Sequence, residues 1–338
     1  MLNKIPNDII QRLRNKRILI TGASGLIGST LAELLIGLNR TFGTGLEIWA
    51  LGRSGKALQE RFSSGVYLHI IEGDVGSIAL PDLNVDYIIH AASPSHPLAY
   101  SRTPVEVMKA NLLGTINMLE LAKRTGARLL FISSGEVYGA GNEPDSCFRE
   151  DGYGYIEISD SRSCYPESKR AAETLCASYH AQFGVDTVAA RLCHVYGAAI
   201  TDTNSRADAQ FLRNAVNHED IVMKSPGDQV RSFCYVKDAV TGLLYILLKG
   251  RSGEAYNVAN RDSAATIRRY AETLAAVSGV RLRNELPSED ESKGYTRVSR
   301  AVLDATKLEG LGWVPQYDLE SGLRETYAFL LEKEQQRQ

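Results

Sequence analysis

Short apolar runs alternate with longer amphipathic stretches over most of the first 192 residues. The runs predict buried strands, and apolar residues at helical spacing between them predict helices. The predicted strands are Ile18–Ile20, Glu47–Leu51, Tyr67–Ile71, Asp86–Ser93, Arg128–Ser134 and Asp186–Leu192, and the predicted helices are a short one before Lys16 and two longer ones at Pro104–Arg124 and Tyr165–Phe183. Strands and helices that alternate in this way predict an α/β fold with a doubly wound parallel sheet.

The pattern changes after about residue 193, where the elements become shorter and polar loops interrupt them. A chain of 338 residues is long enough for two domains of ordinary size. We therefore expect one domain over residues 1–192. Residues 193–338 should form mainly a smaller mixed α/β lobe, interleaved with the last strands of the sheet.

The composition excludes several classes of function. The formal net charge is −2, so the chain has no basic field for nucleic acid or an anionic membrane, and we expect neither partner. Five cysteines are scattered without a C-x-x-C pair and no His cluster has ligand spacing, so we expect no metal. The N-terminus has no apolar signal core, and no run approaches the ~18 residues of a membrane span, which favours a soluble, cytoplasmic protein.

The first predicted strand leads into a glycine-spaced turn, Thr21-Gly22-Ala-Ser-Gly25-Leu-Ile-Gly28, and then into an amphipathic helix. Gly22 allows a sharp turn, Gly25 lets backbone N–H groups approach a pyrophosphate, and Gly28 lets the helix pack closely on the strand. The N-terminus of the helix then faces the anion. We therefore predict a dinucleotide site, in which the residues beside the three glycines are Ser24, Leu26 and Ile27.

Two strand ends near this turn bear on the cofactor. The fourth predicted strand ends in the small residues Ala91, Ala92 and Ser93, which leave room for a dinucleotide across the strand ends. The second strand is followed by Arg53, where an NAD-binding fold commonly has an acid for the ribose 2′-hydroxyl. An arginine there can bind a 2′-phosphate or belong to a solvated turn. The choice between NAD and NADP therefore stays open.

Four residues are candidates for catalysis. Tyr165-Pro-Glu-Ser-Lys169 places a phenol and an ammonium one turn apart on one helix face, and an adjacent cation lowers the pKa of a tyrosine so that it can act as a base. The fifth strand ends at Ser134, whose hydroxyl can bind a substrate hydroxyl or cap the turn. Glu136 follows, and it can act as a base, orient a substrate or be a solvated loop acid.

The glycine turn, the segment SSGEVYG at 133–139 and the Tyr165–Lys169 motif together resemble the extended short-chain dehydrogenase/reductases, specifically the NAD-dependent epimerase/dehydratase family with its Rossmann fold. Three longer stretches are similar to the UDP-glucuronate decarboxylases of that family: HAASPSHPLAY at 90–100, VEVMKANLLGTINMLELAKRTGARLLFISS at 105–134 and CYPESKRAAETLC at 164–176. The resemblance covers nearly the whole chain.

This resemblance implies a nucleoside-diphosphate sugar as substrate and a tightly bound NAD(P) as cofactor. Tyr165 would take the proton of the C4-hydroxyl while hydride passes to the nicotinamide, with Lys169 on the ribose and Ser134 assisting. If C5 carries a carboxylate, carbon dioxide then leaves because the new ketone is β to it. The resemblance also places Asp74 and Val75 at the adenine, and Pro94, His194, Arg231 and Arg300 on the substrate.

Two positions depart from the family's pattern. Gly135 stands where the decarboxylases usually have serine and the 4,6-dehydratases have the aspartate that protonates the departing hydroxyl, which argues against 4,6-dehydration. His194 stands where members carry asparagine, and it can donate to a phosphate in its place or be a core histidine. Three alternatives therefore remain: a 4-epimerase, an NADPH-dependent 4-ketosugar reductase favoured by Arg53, and a non-catalytic, NADP-sensing binding protein.

The two long helices also bear on assembly. In the family that the chain resembles, such a helix pair forms a four-helix interface between two copies. We therefore expect a homodimer. The residues predicted to form its apolar outer face are Leu112, Met118, Ala171 and Leu175.

Overall fold

The structure is a computed structural model that describes residues 2–62, 65–140, 147–199, 204–285 and 298–335. Its strands are β1 (Arg17–Thr21), β2 (Glu47–Gly52), β3 (Leu68–Glu72), β4 (Tyr87–His90), β5 (Arg128–Ser134), β6 (Thr187–Leu192), β7 (His194–Tyr196), β8 (Ile221–Met223), β9 (Val230–Tyr235), β10 (Ala255–Val258), β11 (Ala264–Thr266), β12 (Leu282–Asn284) and β13 (Arg300–Ala301). Its α-helices are α1 (Asn7–Leu13), α2 (Leu26–Phe42), α3 (Gly55–Arg61), α4 (Pro97–Arg102), α5 (Pro104–Thr125), α6 (Cys164–Phe183), α7 (Ala207–Val216), α8 (Val236–Lys249), α9 (Ile267–Ser278), α10 (Thr306–Glu309) and α11 (Leu319–Gln335). None of the described helices is both long enough and apolar enough to cross a bilayer.

Seven parallel strands form the central sheet, in the order β10-β6-β5-β4-β1-β2-β3. The predicted doubly wound Rossmann fold is thus confirmed. From β1 the chain builds outward through β2 and β3, and it then returns to place β4 on the other side of β1. Ligands of open parallel sheets bind at such a reversal, outside the carboxyl ends of the strands.

The fourth strand is shorter than predicted, because it ends at His90 rather than at Ser93. After His90 the chain crosses the glycine turn, where a Cβ on Gly22 would lie 2.8 Å from the carbonyl oxygen of Ala91. The backbone N–H of Ala92 donates to Thr21 Oγ1 at 3.1 Å. The small residues after β4 therefore form a loop over the glycine turn instead of extending the sheet.

Alternate residues of β1 enter two different cores. Ile18 and Ile20 pack in the core that α1, α2 and α8 cover. Leu19 packs on the other face of the sheet, against residues of α5 and α6. Because both faces are covered, the strands are apolar on both sides, as the continuous apolar runs of the sequence predict.

The outer face of α5 differs from the prediction in one residue. Met118 was predicted to point outward, but it is fully buried against the sheet. The exposed apolar side chains of α5 are instead Val105, Met108, Leu113 and Ile116. With 3.6 residues per turn, Met118 lies on the same face of α5 as the buried residues Asn111 and Leu121, and that face is turned inward.

Beyond residue 192 the chain builds a second sheet, in which β9 pairs with β11, β13 and β7. A separate pair joins β8 and β12. Between these elements, α8 covers the central sheet and β10 pairs in parallel with β6. The smaller lobe and the central sheet are therefore interleaved along the chain.

Candidate active site

The glycine turn between β1 and α2 has the geometry that a dinucleotide requires. Gly22 has a φ of +66°, which favours glycine. A Cβ on Gly28 would lie 2.4 Å from the carbonyl oxygen of Gly22, so α2 can pack at this distance only with glycine. A Cβ on Gly25 would meet, among the described residues, only that same oxygen within 4 Å, at 3.3 Å. Gly25 therefore presents an open backbone surface at the N-terminus of α2, flanked by the exposed Ser24 and the part-buried Leu26 and Ile27.

The loop after β4 forms the other wall of this turn. Thr21 Oγ1 and His90 Nδ1 are 2.8 Å apart, and burial lowers the pKa of His90 to about 3, so its imidazole is neutral. The hydroxyl of Ser93 is buried and has no hydrogen-bond partner among the described residues. A buried polar group without a partner is one that a ligand can satisfy. Pro94 follows in the same loop and is part-buried.

The far end of the predicted cofactor site lies at β2 and β3. Arg53 is exposed directly after β2. Asp74 is exposed and accepts a hydrogen bond from Gly76 N at 2.9 Å, while Val75 is buried. A Cβ on Gly55 would lie 2.8 Å from Glu72 Oε2, so an acid from the end of β3 reaches the turn that follows β2. Sequence reasoning missed Glu72, because it sought the acid on β2 itself.

Three of the predicted catalytic residues meet at the carboxyl end of β5. Tyr165 and Lys169 lie in the first turns of α6 and are only 7% and 2% exposed. Lys169 Nζ donates to the carbonyl oxygen of Ile132 at 2.8 Å and lies 5.8 Å from the centre of the Tyr165 ring. The hydroxyl of Ser134 accepts from Glu136 N at 3.2 Å and lies close enough to Tyr165 to lower its pKa.

The electrostatics at Tyr165 differ from the sequence prediction. Burial raises its pKa to about 12, and the charge of Glu136 acts in the same direction. The groups that lower it are Ser134, Arg206 and Arg162. The sequence predicts that Lys169 brings this pKa toward neutrality. In the structure, burial of the ring has the largest effect on this pKa instead. The ring of Tyr100 stacks on the ring of Tyr165, with their centres 4.7 Å apart.

Glu136 faces this cluster and is paired with an arginine. Arg162 Nη2 lies 3.0 Å from Glu136 Oε2, and the guanidinium also lies over the ring of Tyr100 at 4.5 Å. The two side chains of the pair are 42% and 40% exposed, so the pair adds little to stability. Its effect is to fix the direction of the carboxylate.

The glycine that replaces the family's serine or aspartate leaves no open space. A Cβ on Gly135 would lie 3.2 Å from Leu303 Cδ1 and 3.5 Å from the carbonyl oxygen of Leu192. A side chain at residue 135 would therefore need Leu303 to shift by a few tenths of an ångström.

Further arginines surround the cluster on the side of the smaller lobe. Arg206 pairs with Asp208 at 3.1 Å, yet its Nη2 is buried without a partner among the described residues. Arg231 is buried and donates to the carbonyl oxygens of Val230 and Val298, at 2.8 and 2.7 Å. Burial lowers the pKa of Arg231.

Two other predicted substrate residues lie beside these arginines. Burial holds the pKa of His194 well below its usual value, and the charges of Arg206 and Arg231 act in the same direction. His194 is therefore a neutral imidazole that feels the charge of two arginines. Arg300 lies opposite Val230 on the neighbouring strand β13, and its Nε is buried without a partner among the described residues.

The structure thus brings Ser134, Glu136, Tyr165 and Lys169 together and places His194 and Arg231 nearby. Sequence reasoning missed Tyr100, Arg162 and Arg206. No local pattern marks them, because each belongs to a loop or short helix and reaches the cluster only through the tertiary fold. Within the described residues, no three His, Cys, Asp or Glu side chains are grouped as a metal site requires.

Comparison with known proteins places the chain in a family. Residues 18–259 match the NAD dependent epimerase/dehydratase family. The chain belongs to that family. UDP-glucuronic acid decarboxylase 3 of Arabidopsis thaliana is 34% identical over 91% of this chain and 87% of its own length. UDP-glucuronic acid decarboxylase 1 of Danio rerio is 33% identical over 96% of this chain and 75% of its own.

A solved relative shows the same architecture. The dTDP-glucose 4,6-dehydratase of Streptomyces venezuelae, crystallised with NAD, superimposes with a TM-score of 0.80 at 25% identity, over 95% of this chain and 98% of that one. The residues of the present chain fit such a dinucleotide, since the open backbone at Gly25 and the unpaired hydroxyl of Ser93 border the same strand ends.

Proposed function

We propose that the protein oxidises C4 of a UDP-uronic acid with a retained nicotinamide cofactor and releases the C5 carboxyl group as carbon dioxide. The observation that carries the proposal is the cluster of Tyr165, Ser134 and Lys169 at the carboxyl end of β5, with Glu136 facing it. Relatives named UDP-glucuronic acid decarboxylases align over nearly the whole chain. We propose a uronic acid as the substrate because the names of these relatives contain UDP-glucuronic acid.

The charges around the cluster suit such a substrate. A UDP-uronate carries negative charge on its diphosphate and on its carboxylate. The charges of Arg206 and Arg231 act on His194, and Arg162 lies beside Glu136. Guanidinium groups bind phosphates and carboxylates through paired N–H donors. We propose that the buried, unpaired Nη2 of Arg206 donates to the diphosphate, and that residues from 193 onward supply mainly the substrate side of the site.

In the proposed reaction, Tyr165 receives the proton of the C4-hydroxyl as a phenolate, and Ser134 holds the same oxygen. Because the pKa of Tyr165 is about 12 in the structure, the phenolate would depend on the positive charge that an oxidised nicotinamide brings to the site. A bound nicotinamide dinucleotide supplies the hydride acceptor for C4. Decarboxylation is then a property of the sugar, because a C4 ketone is β to the C5 carboxylate. The enolate that carbon dioxide leaves behind takes up a proton at C5, and the C4 ketone takes back the hydride, so that the cofactor would end the cycle in its oxidised form. Glu136, fixed by Arg162, orients the sugar at this carbon or acts as the second base. Because residue 135 is glycine, it offers no side chain that could protonate a leaving hydroxyl, which argues against a 4,6-dehydratase.

Two measurements test the proposal together. Protein denatured after purification should release NAD or NADP, identified by mass, and native protein should release labelled carbon dioxide from carboxyl-labelled UDP-glucuronate. Retained cofactor without carbon dioxide, together with a new C4 epimer, would replace the proposal with an epimerase. A protein without cofactor that prefers NADPH would replace it with a reductase.

The second candidate, an NADPH-dependent 4-ketosugar reductase, is favoured by Arg53. Its guanidinium is exposed where the adenosine ribose of a dinucleotide would lie. Glu72, which reaches the same turn, opposes a 2′-phosphate by charge repulsion. We therefore keep NAD as the proposed cofactor and treat NADP as an outcome of the mass measurement.

We also propose that two copies pair through α5 and α6. The two helices pack side by side, and Asn111 Nδ2 donates to Ser168 Oγ across them at 2.8 Å. Val105, Met108 and Ile116 form an exposed apolar stripe at helical spacing on α5. Sedimentation should show a dimer at micromolar concentration, and Ile116→Asp should convert it to a monomer. A wild-type monomer at that concentration would end this proposal.

A further inference from the structure

Glu173 is a buried acid of α6 that the proposed reaction does not use. Its carboxylate accepts from Arg191 Nη2 at 2.7 Å and from Arg191 Nε at 3.1 Å. It also accepts from Ser133 Oγ at 2.5 Å. The side chain of Arg191 is 3% exposed and that of Glu173 is 15% exposed, so the pair lies inside the protein. The carboxylate is therefore held from two strands, β5 and β6.

The same part of β5 holds Lys169. Glu173 lies one helical turn after Lys169, so the two side chains project from one face of α6. Lys169 Nζ donates to the carbonyl oxygen of Ile132, and Glu173 accepts from the side chain of Ser133, the next residue. The ammonium and the carboxylate are thus fixed to neighbouring residues of β5, directly before Ser134.

The carboxylate of Glu173 offsets the effect that burial has on the pKa of Lys169. Burial lowers the pKa of Lys169 to about 7, and the carboxylate of Glu173 raises it. The thiol of Cys176, on the same helix, has its pKa raised to about 12 by burial, and the imidazole of His90, on β4, has its pKa lowered to about 3. Both are uncharged at neutral pH. Among the described residues, the rings of Phe131 and Tyr165 also lie near the ammonium, with their centres 4.7 and 5.8 Å from Nζ.

We propose that Glu173 is a positioning residue for the reaction: its carboxylate, fixed by Arg191 and Ser133, keeps Lys169 in the ammonium form and directed at the end of β5. An uncharged lysine keeps two N–H donors in place of three, and one of them is used by Ile132. The hydrogen bond that it can still give to a ribose hydroxyl lacks the added strength of a charged donor. The proposal rests on the proposed function only in that Lys169 serves catalysis. The charge state of Lys169 can be measured without turnover.

The test compares two variants that break the same ion pair. Glu173→Gln removes the carboxylate and leaves Arg191, whereas Arg191→Met removes the guanidinium and leaves the carboxylate. Each protein is labelled with [ε-¹³C]lysine and titrated by NMR, and Lys169→Arg assigns the resonance. Glu173→Gln should lower the titration midpoint of Lys169 by about one pH unit, the lower end of the effect that an opposite charge has on a nearby group. Arg191→Met should not lower it.

Equal lowering in both variants would show that the ion pair is only structural, and an unchanged midpoint in Glu173→Gln would overturn the proposal directly. The pH profile of kcat gives the second measurement. Because activity needs the ammonium, it falls as pH rises through the pKa of Lys169, so the alkaline limb should move to lower pH in Glu173→Gln. If the wild type has no turnover with UDP-glucuronate, the proposed function fails while the NMR titration still decides the role of Glu173.

Discussion

The two sides of the candidate site are built in different ways. The glycine side, formed by Gly22–Gly28 and Ala91–Ser93, is shaped by backbone: a positive φ at Gly22, a close approach at Gly28 and an open surface at Gly25. The arginine side consists of Arg162, Arg206, Arg231 and Arg300. These four side chains come from the segment before α6, the segment before α7, β9 and β13. The glycine turn is encoded locally, whereas three of the four arginines reach the site only after the smaller lobe has folded.

Tyr165 lies between the two sides, and its replacement should have the largest effect. Tyr165→Phe removes the proton acceptor and should lower kcat by about 10²–10⁴-fold, while the dinucleotide stays bound. Steady-state kinetics and mass analysis of released cofactor measure the two quantities. Tyr155→Phe is the matched control, because Tyr155 is 66% exposed and its hydroxyl bonds only Glu157 among the described residues. Equal loss in both variants would contradict the assignment.

The arginine side should affect the sugar nucleotide and not the cofactor. Arg206→Met removes an unpaired guanidinium N–H, and the loss of one charged hydrogen bond, about 1.5–3 kcal/mol, should raise the KM for the sugar nucleotide about 10–100-fold. Calorimetric titration with UDP should show the same weakening, and the dinucleotide Kd should not change. Arg269→Met, at an exposed position on α9, serves as the control. A change in the dinucleotide Kd alone would contradict the assignment of Arg206 to the sugar nucleotide.

Two alanine substitutions separate binding from stability on the glycine side. Gly25→Ala adds a methyl group with one 3.3 Å neighbour, so the fold should survive while the dinucleotide Kd rises about tenfold, or 1.4 kcal/mol. Gly28→Ala puts a methyl group 2.4 Å from the oxygen of Gly22 and should lower the free energy of unfolding by about 1–3 kcal/mol. Thermal melts measure the stability and fluorescence titration measures the dinucleotide Kd. If Gly25 faced the protein interior, Gly25→Ala would lower the stability instead of weakening dinucleotide binding.

Arg53 should give the smallest effect. It is exposed, so Arg53→Ala should weaken NADP binding by about tenfold or less and leave NAD binding unchanged, because only NADP carries a 2′-phosphate. Competition of the two dinucleotides for the purified protein measures the ratio. An equal loss for both would remove Arg53 from the choice of cofactor. Arg40→Ala, on the exposed surface of α2, controls for a general loss of positive charge.

The sequence predicts the glycine side well because its requirements are local. Strand, turn and helix follow within a dozen residues, and each glycine has a separate steric reason. The position of β5 and α6 was also predictable, since Ser134 and Tyr165 sit at ends of strongly patterned elements. Met118 was placed wrongly because a helix with apolar residues on two faces does not reveal which face meets the sheet.

The arginine side could not be predicted in full. Arg162 and Arg206 lie outside patterned elements, and their contacts with Glu136 and Asp208 depend on how the loops return to the sheet. The pKa of Tyr165 was also misjudged, because spacing shows the nearby Lys169 but not the burial of the ring. Charge spacing along a helix is readable from sequence, whereas desolvation is a property of the assembled fold.

The strand β10 has a consequence for how the chain is made. It pairs with β6 at the edge of the central sheet, although more than 60 residues separate the two along the chain. During synthesis on the ribosome, the edge of β6 therefore has no strand partner until Val258 has emerged. Unpaired strand edges favour association with other chains. We therefore expect a truncated chain that ends before β10 to aggregate more readily than the full chain.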